Sequence, residues 1–168
     1  MANPKNNEIY RKQGLLGESI VQQLLIQQGW SVRHSDNPNA AIDAWVSRGG
    51  VLRALQIKTT FRRRERTNCV LTDLLSVPCD KFEKYRKVRH ESGQPLYLVW
   101  VNFDHSMVYW ADLNCLSETV VVDRLGVSQD FPHKETLKYT GLNINLHISQ
   151  FQWLGTISHH YVTLCNKK

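Results

Sequence analysis

Three side chains have the types and spacing that suggest chemistry: Asp43, Gln56 and Lys58. They lie in AIDAWVSRGGVLRALQIKTT, residues 41–60. This stretch reads as two strands, Ala41–Ser47 and Val51–Thr59, joined through Arg48-Gly49-Gly50. Gly-Gly between two β-rich runs is a hairpin signal. Side chains alternate along a strand, so Gln56 and Lys58 share one face and Leu55 and Ile57 the other. Across the hairpin, Asp43 can face Gln56 and Lys58. A carboxylate, an amide oxygen and an ammonium on one sheet face suit a hard divalent cation and the water it activates.

Other residues could join or serve that site. Glu18 lies in a helical pattern whose apolar positions are Leu16, Ile20, Val21, Leu24 and Leu25. It sits at the edge of the stripe and can look inward; a surface glutamate is the plain alternative. Gly14 and Gly17 flank it and would let another backbone come close. Downstream of the hairpin, Arg62, Arg63, Arg64 and Arg66 suit phosphate contacts, or form a solvated charge run. Asn143, Asn145 and His147 alternate with Ile144, Leu146 and Ile148. They form the polar face of a strand, able to read base edges or simply to meet solvent. His159-His160 has no third ligand at motif spacing, so it does not read as a zinc site.

The elements that must position these residues follow in order. A helix from Asn6 or Asn7 to about Gln28 ends at Gly29. Trp30–His34 reads as a strand, and then comes the hairpin. A second amphipathic helix covers Cys79–Glu91 with Phe82, Tyr85 and Val88 on one side, stopped by Gly93 and Pro95. Leu96–Phe103 is almost continuously apolar, as a strand covered on both faces is. Met107–Ala111 is the next strand and Asp112–Ser117 a short helix. Thr119–Val122 and Asn143–Ser149 read as strands, and Ile148–Leu154 as a short amphipathic helix.

The bulk numbers allow this. The chain has 168 residues, 42% hydrophobic and 21% charged, which suits one domain with a real core. Its formal net charge is +6, and the excess is local: residues 53–104 hold eleven basic and six acidic side chains. An anionic partner fits that surface. The four cysteines are scattered, with no C-x-x-C and no zinc spacing, as free thiols in a reducing compartment would be. No signal peptide and no apolar run of membrane-spanning length are seen.

Gly14-x-x-Gly17-Glu18 on the first helix, Asp43 after a loop, and Gln56-x-Lys58 thirteen positions later resemble the PD-(D/E)XK nuclease superfamily. The resemblance covers about Gly14–Ala111. Ile42 stands where the motif has Pro, and Gln56 where it has an acid, which leaves Glu18 as the compensating carboxylate. Within the superfamily, the pattern is most like a group I intron-encoded homing endonuclease and also similar to archaeal-type Holliday junction resolvases.

The resemblance implies an α/β (α+β mixed) fold with a restriction-endonuclease-like core. In it a mixed β-sheet is flanked by helices in αβββαβ order, and a C-terminal β-rich extension follows. Residues 1–112 would be the nuclease core, and residues 113–168 an extension of the same domain for DNA contacts or an oligomer interface. It implies a Mg²⁺-dependent endonuclease acting on double-stranded DNA, with Mn²⁺ able to substitute. Glu18, Asp43, Gln56 and Lys58 would be catalytic. Asp43, Gln56, Glu18 and the Ile57 carbonyl would surround the metal. Two sites are needed to cut two strands, so a dimer or tetramer is expected, in the cytoplasm beside nucleoid DNA. The alternatives are a Holliday junction resolvase and a catalytically inactive DNA-binding module.

Overall fold

The computed structural model describes residues 4–36, 41–61, 73–116, 120–122, 128–130 and 143–161. Arg62, Arg63, Arg64 and Arg66 lie outside the described residues. The chain opens with helix α1 (Pro4–Gln27), followed by β1 (Ser31–His34), β2 (Ala44–Arg48), β3 (Val51–Thr60) and β4 (Leu74–Pro78). Helix α2 (Cys79–Ser92), β5 (Leu96–Asn102) and β6 (Met107–Asp112) come next. The described remainder holds β7 (Val120–Val122), β8 (Ser128–Asp130), β9 (Asn143–His147) and β10 (Gln152–Thr156).

Six strands form the main sheet in the order β1-β2-β3-β5-β6-β10. The β3–β5 pair is parallel and the others are antiparallel, so the sheet is mixed. A parallel pair needs a long crossover, and the chain makes it through β4 and α2. The order within the main sheet and its helices is the expected αβββαβ. Strand β4 is extra: it joins a second sheet, ordered β4-β9-β7-β8.

Two cores sandwich the main sheet. On one face, Ile20, Val21 and Leu25 of α1 meet Ala44, Val46, Leu55, Val99, Val101 and Val108. On the other, Phe82 and Tyr85 of α2 and Leu75, Val77, Ile144 and Leu146 of the second sheet meet Ala54, Leu98 and Trp100. Strand β5 is therefore covered on both faces, which explains its unbroken apolar run. Trp100 is fully buried and its Nε1 donates to Thr60 Oγ1 at 2.8 Å, tying the end of β3 to β5.

The hairpin turns at Gly49 and Gly50, with φ of 56° and 79° between the paired residues Arg48 and Val51. Positive φ at both central residues matches the right-handed twist of the strands. A second glycine matters for contact. A Cβ on Gly17 would overlap the Thr59 side chain, so the missing side chain lets α1 lie directly on β3. Glu18 follows at that closest approach.

Three expectations change. The first strand of the hairpin begins at Ala44, not Ala41, because the chain bends at Asp43. The expected helix Asp112–Ser117 is, over its described residues, a 3₁₀ turn at Leu113–Cys115. Ile148–Leu154 is not a helix: one 3₁₀ turn, Ile148–Gln150, leads into β10, which pairs with β6. The C-terminal segment thus supplies a strand to the main sheet. Gly155 packs against Leu24 of α1, where a Cβ would come within 2.8 Å of Leu24 Cδ2.

Gly17→Ala is expected to destabilise the fold by about 1–3 kcal/mol, outweighing the gain of about 1 kcal/mol in helix propensity. Thermal melts check this, and Gly17→Ala combined with Thr59→Ala should recover most of the loss.

Candidate active site

The site grows from one anchored carboxylate. Asp43 stays within the sheet by its backbone: its N–H donates to Leu55 O at 2.7 Å and its carbonyl accepts from Ser35 N at 2.9 Å. Its side chain then does what a further strand residue would have done. Oδ2 accepts the Ile57 N–H at 2.7 Å and Gln56 Nε2 at 2.8 Å. Two donors on one oxygen fix the carboxylate's direction, and no hydrogen bond to Oδ1 occurs among the described residues. The amide turns its nitrogen to the carboxylate, so Gln56 Oε1 is not the atom that meets Asp43. Gln56 is 7% exposed and, with Asn102, is one of two buried polar side chains among the described residues. The Ile57 carbonyl points to the same side of β3 as its N–H, past the start of β2, and Gln56 Nε2 lies 3.5 Å from it.

Glu18 and Lys58 complete the cluster. Glu18 is half-buried on α1 and close enough to Asp43 for repulsion. Burial first, and then the Asp43 charge, push its carboxyl above the usual range, while His34 opposes this. His34 Nε2 lies 2.7 Å from Gln22 Oε1, one turn further along α1. Burial also raises Asp43, against the Ile57 hydrogen bond and the Lys58 charge, which lower it. Lys58 is lowered by burial and then by Lys81, with Asp43 opposing. Its Nζ lies 5.4 Å from the centroid of the Tyr85 ring. The Tyr85 hydroxyl is pushed well above its usual range by burial, then by Asp43 and Asp80.

This oxygen set suits Mg²⁺. Two carboxylates sit where ionisation is costly without a cation, beside the Gln56 amide and the Ile57 carbonyl. A small hard ion that keeps several waters needs no dense cage. The described residues contain no cluster of three or more His, Cys, Asp or Glu arranged to hold a metal, so the amide and carbonyl would have to share in ligation.

The structure thus brings together Glu18, Asp43, Gln56, Ile57 and Lys58. Asn143 and Asn145 are half-buried and His147 exposed on β9, on the face turned away from the core beneath that strand. His147 Nδ1 also accepts the Ser149 N–H at 3.1 Å, capping the turn that follows. Tyr85 and Lys81 were missed as neighbours of the site. In sequence Tyr85 is one of three apolar positions on α2, and Lys81 one of several exposed cations. The signal available was topological: a helix crossing between parallel strands must cover one face of β3, and that face carries Gln56 and Lys58.

No family model and no curated protein matches the sequence. Solved structures do. A Holliday junction resolvase, Hjc of Archaeoglobus fulgidus, matches with a TM-score of 0.51 at 14% identity, over 84% of this chain and 95% of that one. The bacterial homing endonuclease I-Ssp6803I matches with a TM-score of 0.45 at 13% identity, over 88% of this chain and 77% of that one. Among the described residues no helix is long and apolar enough to cross a membrane.

Two outcomes follow from the raised carboxylates. Their folded pKa values lie above the unfolded ones, so their stabilising contribution is complete at low pH and lost as pH rises through the folded values. Asp43→Asn keeps an acceptor for Ile57 without the buried charge. At neutral pH and without metal it should raise Tm by roughly 2 °C or more, the difference closing below about pH 4. Calorimetric titration of the wild type with Mn²⁺ should show proton release, and affinity should fall as pH is lowered through the raised carboxylate pKa values. With its mixed sheet, covering helices and likeness to the archaeal resolvase, the chain has the restriction-endonuclease-like nuclease fold.

Proposed function

We propose that this protein is a Mg²⁺-dependent, site-specific endonuclease of double-stranded DNA, of homing or restriction type. The observation that carries the reading is the Asp43 carboxylate, held by Ile57 N–H and Gln56 Nε2 with Glu18 and Lys58 beside it. Asp43, Gln56 Oε1, the Ile57 carbonyl and Glu18 would hold the ion, and Mn²⁺ would substitute. When bound, it supplies an acidified water and neutralises charge on the scissile phosphate.

The chain's own groups do the rest. Gln56 and Ile57 keep the Asp43 carboxylate oriented. Burial lowers the proton affinity of Lys58, so its amine can orient the attacking water, help remove its proton and stabilise charge growing on the phosphate. In-line attack would break the bond to the 3′-oxygen and leave a 5′-phosphate. Arg62, Arg63, Arg64 and Arg66 would hold backbone phosphates, and Asn143, Asn145 and His147 would meet the target DNA. Residues 1–112 would form the nuclease core, and the segment 113–168 would add target contacts or an oligomer interface. A dimer or tetramer would supply the second site for the second strand. Such an enzyme would work in the cytoplasm, on the nucleoid.

A junction resolvase is the second reading, favoured by the likeness to the archaeal resolvase over 95% of that chain. End-mapping of Mg²⁺-dependent cleavage on a random-sequence library tests the first. Ends should gather at one long motif, and Asp43→Ala or Lys58→Ala should reduce cleavage by at least about 100-fold. Undiminished cutting by Asp43→Ala would remove the site assignment. Preferential cutting of four-way junctions over linear duplex would move the function to the second reading.

A further inference from the structure

The inference concerns α2 and rests on the reading of the site as a nuclease. Phe82 and Tyr85 sink into the core beneath the main sheet, which fixes the helix's rotation. Lys81 is four residues before Tyr85 and therefore on the same side of the helix, one turn nearer its start. Unlike Tyr85, Lys81 is exposed. The Tyr85 ring lies 5.4 Å from Lys58 Nζ, so α2 carries Lys81 to the Lys58 side of the site. Lys81 is near enough to Lys58 for its charge to act on it. Neither has a carboxylate within ion-pair distance among the described residues. Asp80 and Glu83, on either side of Lys81 in sequence, are exposed as well.

Two ammonium groups on one side of the site, neither of them ion-paired among the described residues, are stabilised when an anion arrives. Lys58 is already committed to the scissile phosphate. DNA presents a neighbouring phosphate along the same strand, and an exposed lysine on that side has the reach of four methylenes. We propose that Lys81 is a second phosphate-holding residue of this site, taking a backbone phosphate adjoining the one that Lys58 holds. It would seat the cleaved strand over Asp43 and be a substrate-contacting residue that neither binds metal nor moves a proton.

The test compares Lys81→Ala, Lys81→Arg and Lys87→Ala on the full-length protein. Lys87 is exposed on the same helix but pairs with Glu91, at 3.9 Å, one turn further on. Binding to duplex DNA is measured without metal across a salt series, beside single-turnover cleavage with Mg²⁺. Lys81→Ala should weaken binding, lower the salt slope by about 0.7–0.9, and slow cleavage at subsaturating DNA. Lys81→Arg should restore the slope, and Lys87→Ala should change neither quantity. A Lys81→Ala protein with wild-type slope and rate overturns the inference, as does an equal loss in Lys87→Ala. Failure of the wild type itself to bind or cut DNA would instead refute the nuclease reading.

Discussion

The hydrogen bond from the Ile57 N–H to Asp43 Oδ2 joins the fold to its candidate site. Strand β3 runs past the beginning of β2, and its exposed N–H at Ile57 needs a partner. The Asp43 side chain supplies one at 2.7 Å, and Gln56 reinforces it from the same strand. A backbone requirement of the sheet and the orientation of the Asp43 carboxylate are thereby met by the same atoms. Gln56 is suited to this role: its nitrogen can donate where a carboxylate would repel. An amide at this position adds no negative charge and gives Asp43 a second donor.

The electrostatics of the cluster are opposed by design of position rather than by any single pair. Glu18 arrives on α1 from one face of the sheet; Lys58 meets α2 on the other. Burial works against the charged form of both carboxylates and of the lysine. Each group is made less comfortable in the free protein than it would be with a cation and an anion between them. Such tension is tolerated because the surrounding β3 and β5 are held rigidly, with β5 covered on both sides and Trp100 bonded to Thr60.

What could be read from the chain was what is encoded locally. The Gly49-Gly50 turn, the alternation through Leu55-Gln56-Ile57-Lys58 and the solid apolar run of β5 each express a short-range rule. They were enough to place Gln56 and Lys58 opposite Asp43. Where two periods compete, sequence is ambiguous. Ile148, Phe151 and Leu154 recur every third residue, as a helix would have them, yet β10 forms there because β6 has a free edge and Gly155 fits against Leu24. Tyr85 has the spacing of a core residue and is one; that it also underlies Lys58 depends on which face α2 covers. Asp43 reads as a residue within a strand, but the bend that redirects its side chain is set by Ile57, fourteen positions away.

The far end of the described chain is tied to its beginning. Besides the Gly155–Leu24 contact, Gln28 Nε2 donates to Leu154 O at 2.8 Å, and the Tyr161 hydroxyl donates to Gln23 Oε1 at 2.7 Å. These contacts brace the half of α1 that follows Glu18. A ribosome making this protein completes Glu18, Asp43 and Lys58 early, but the helix holding Glu18 gains its last supports only when β10 emerges. Until then, a nascent fragment carries Glu18, Asp43 and Lys58 in a scaffold not yet closed.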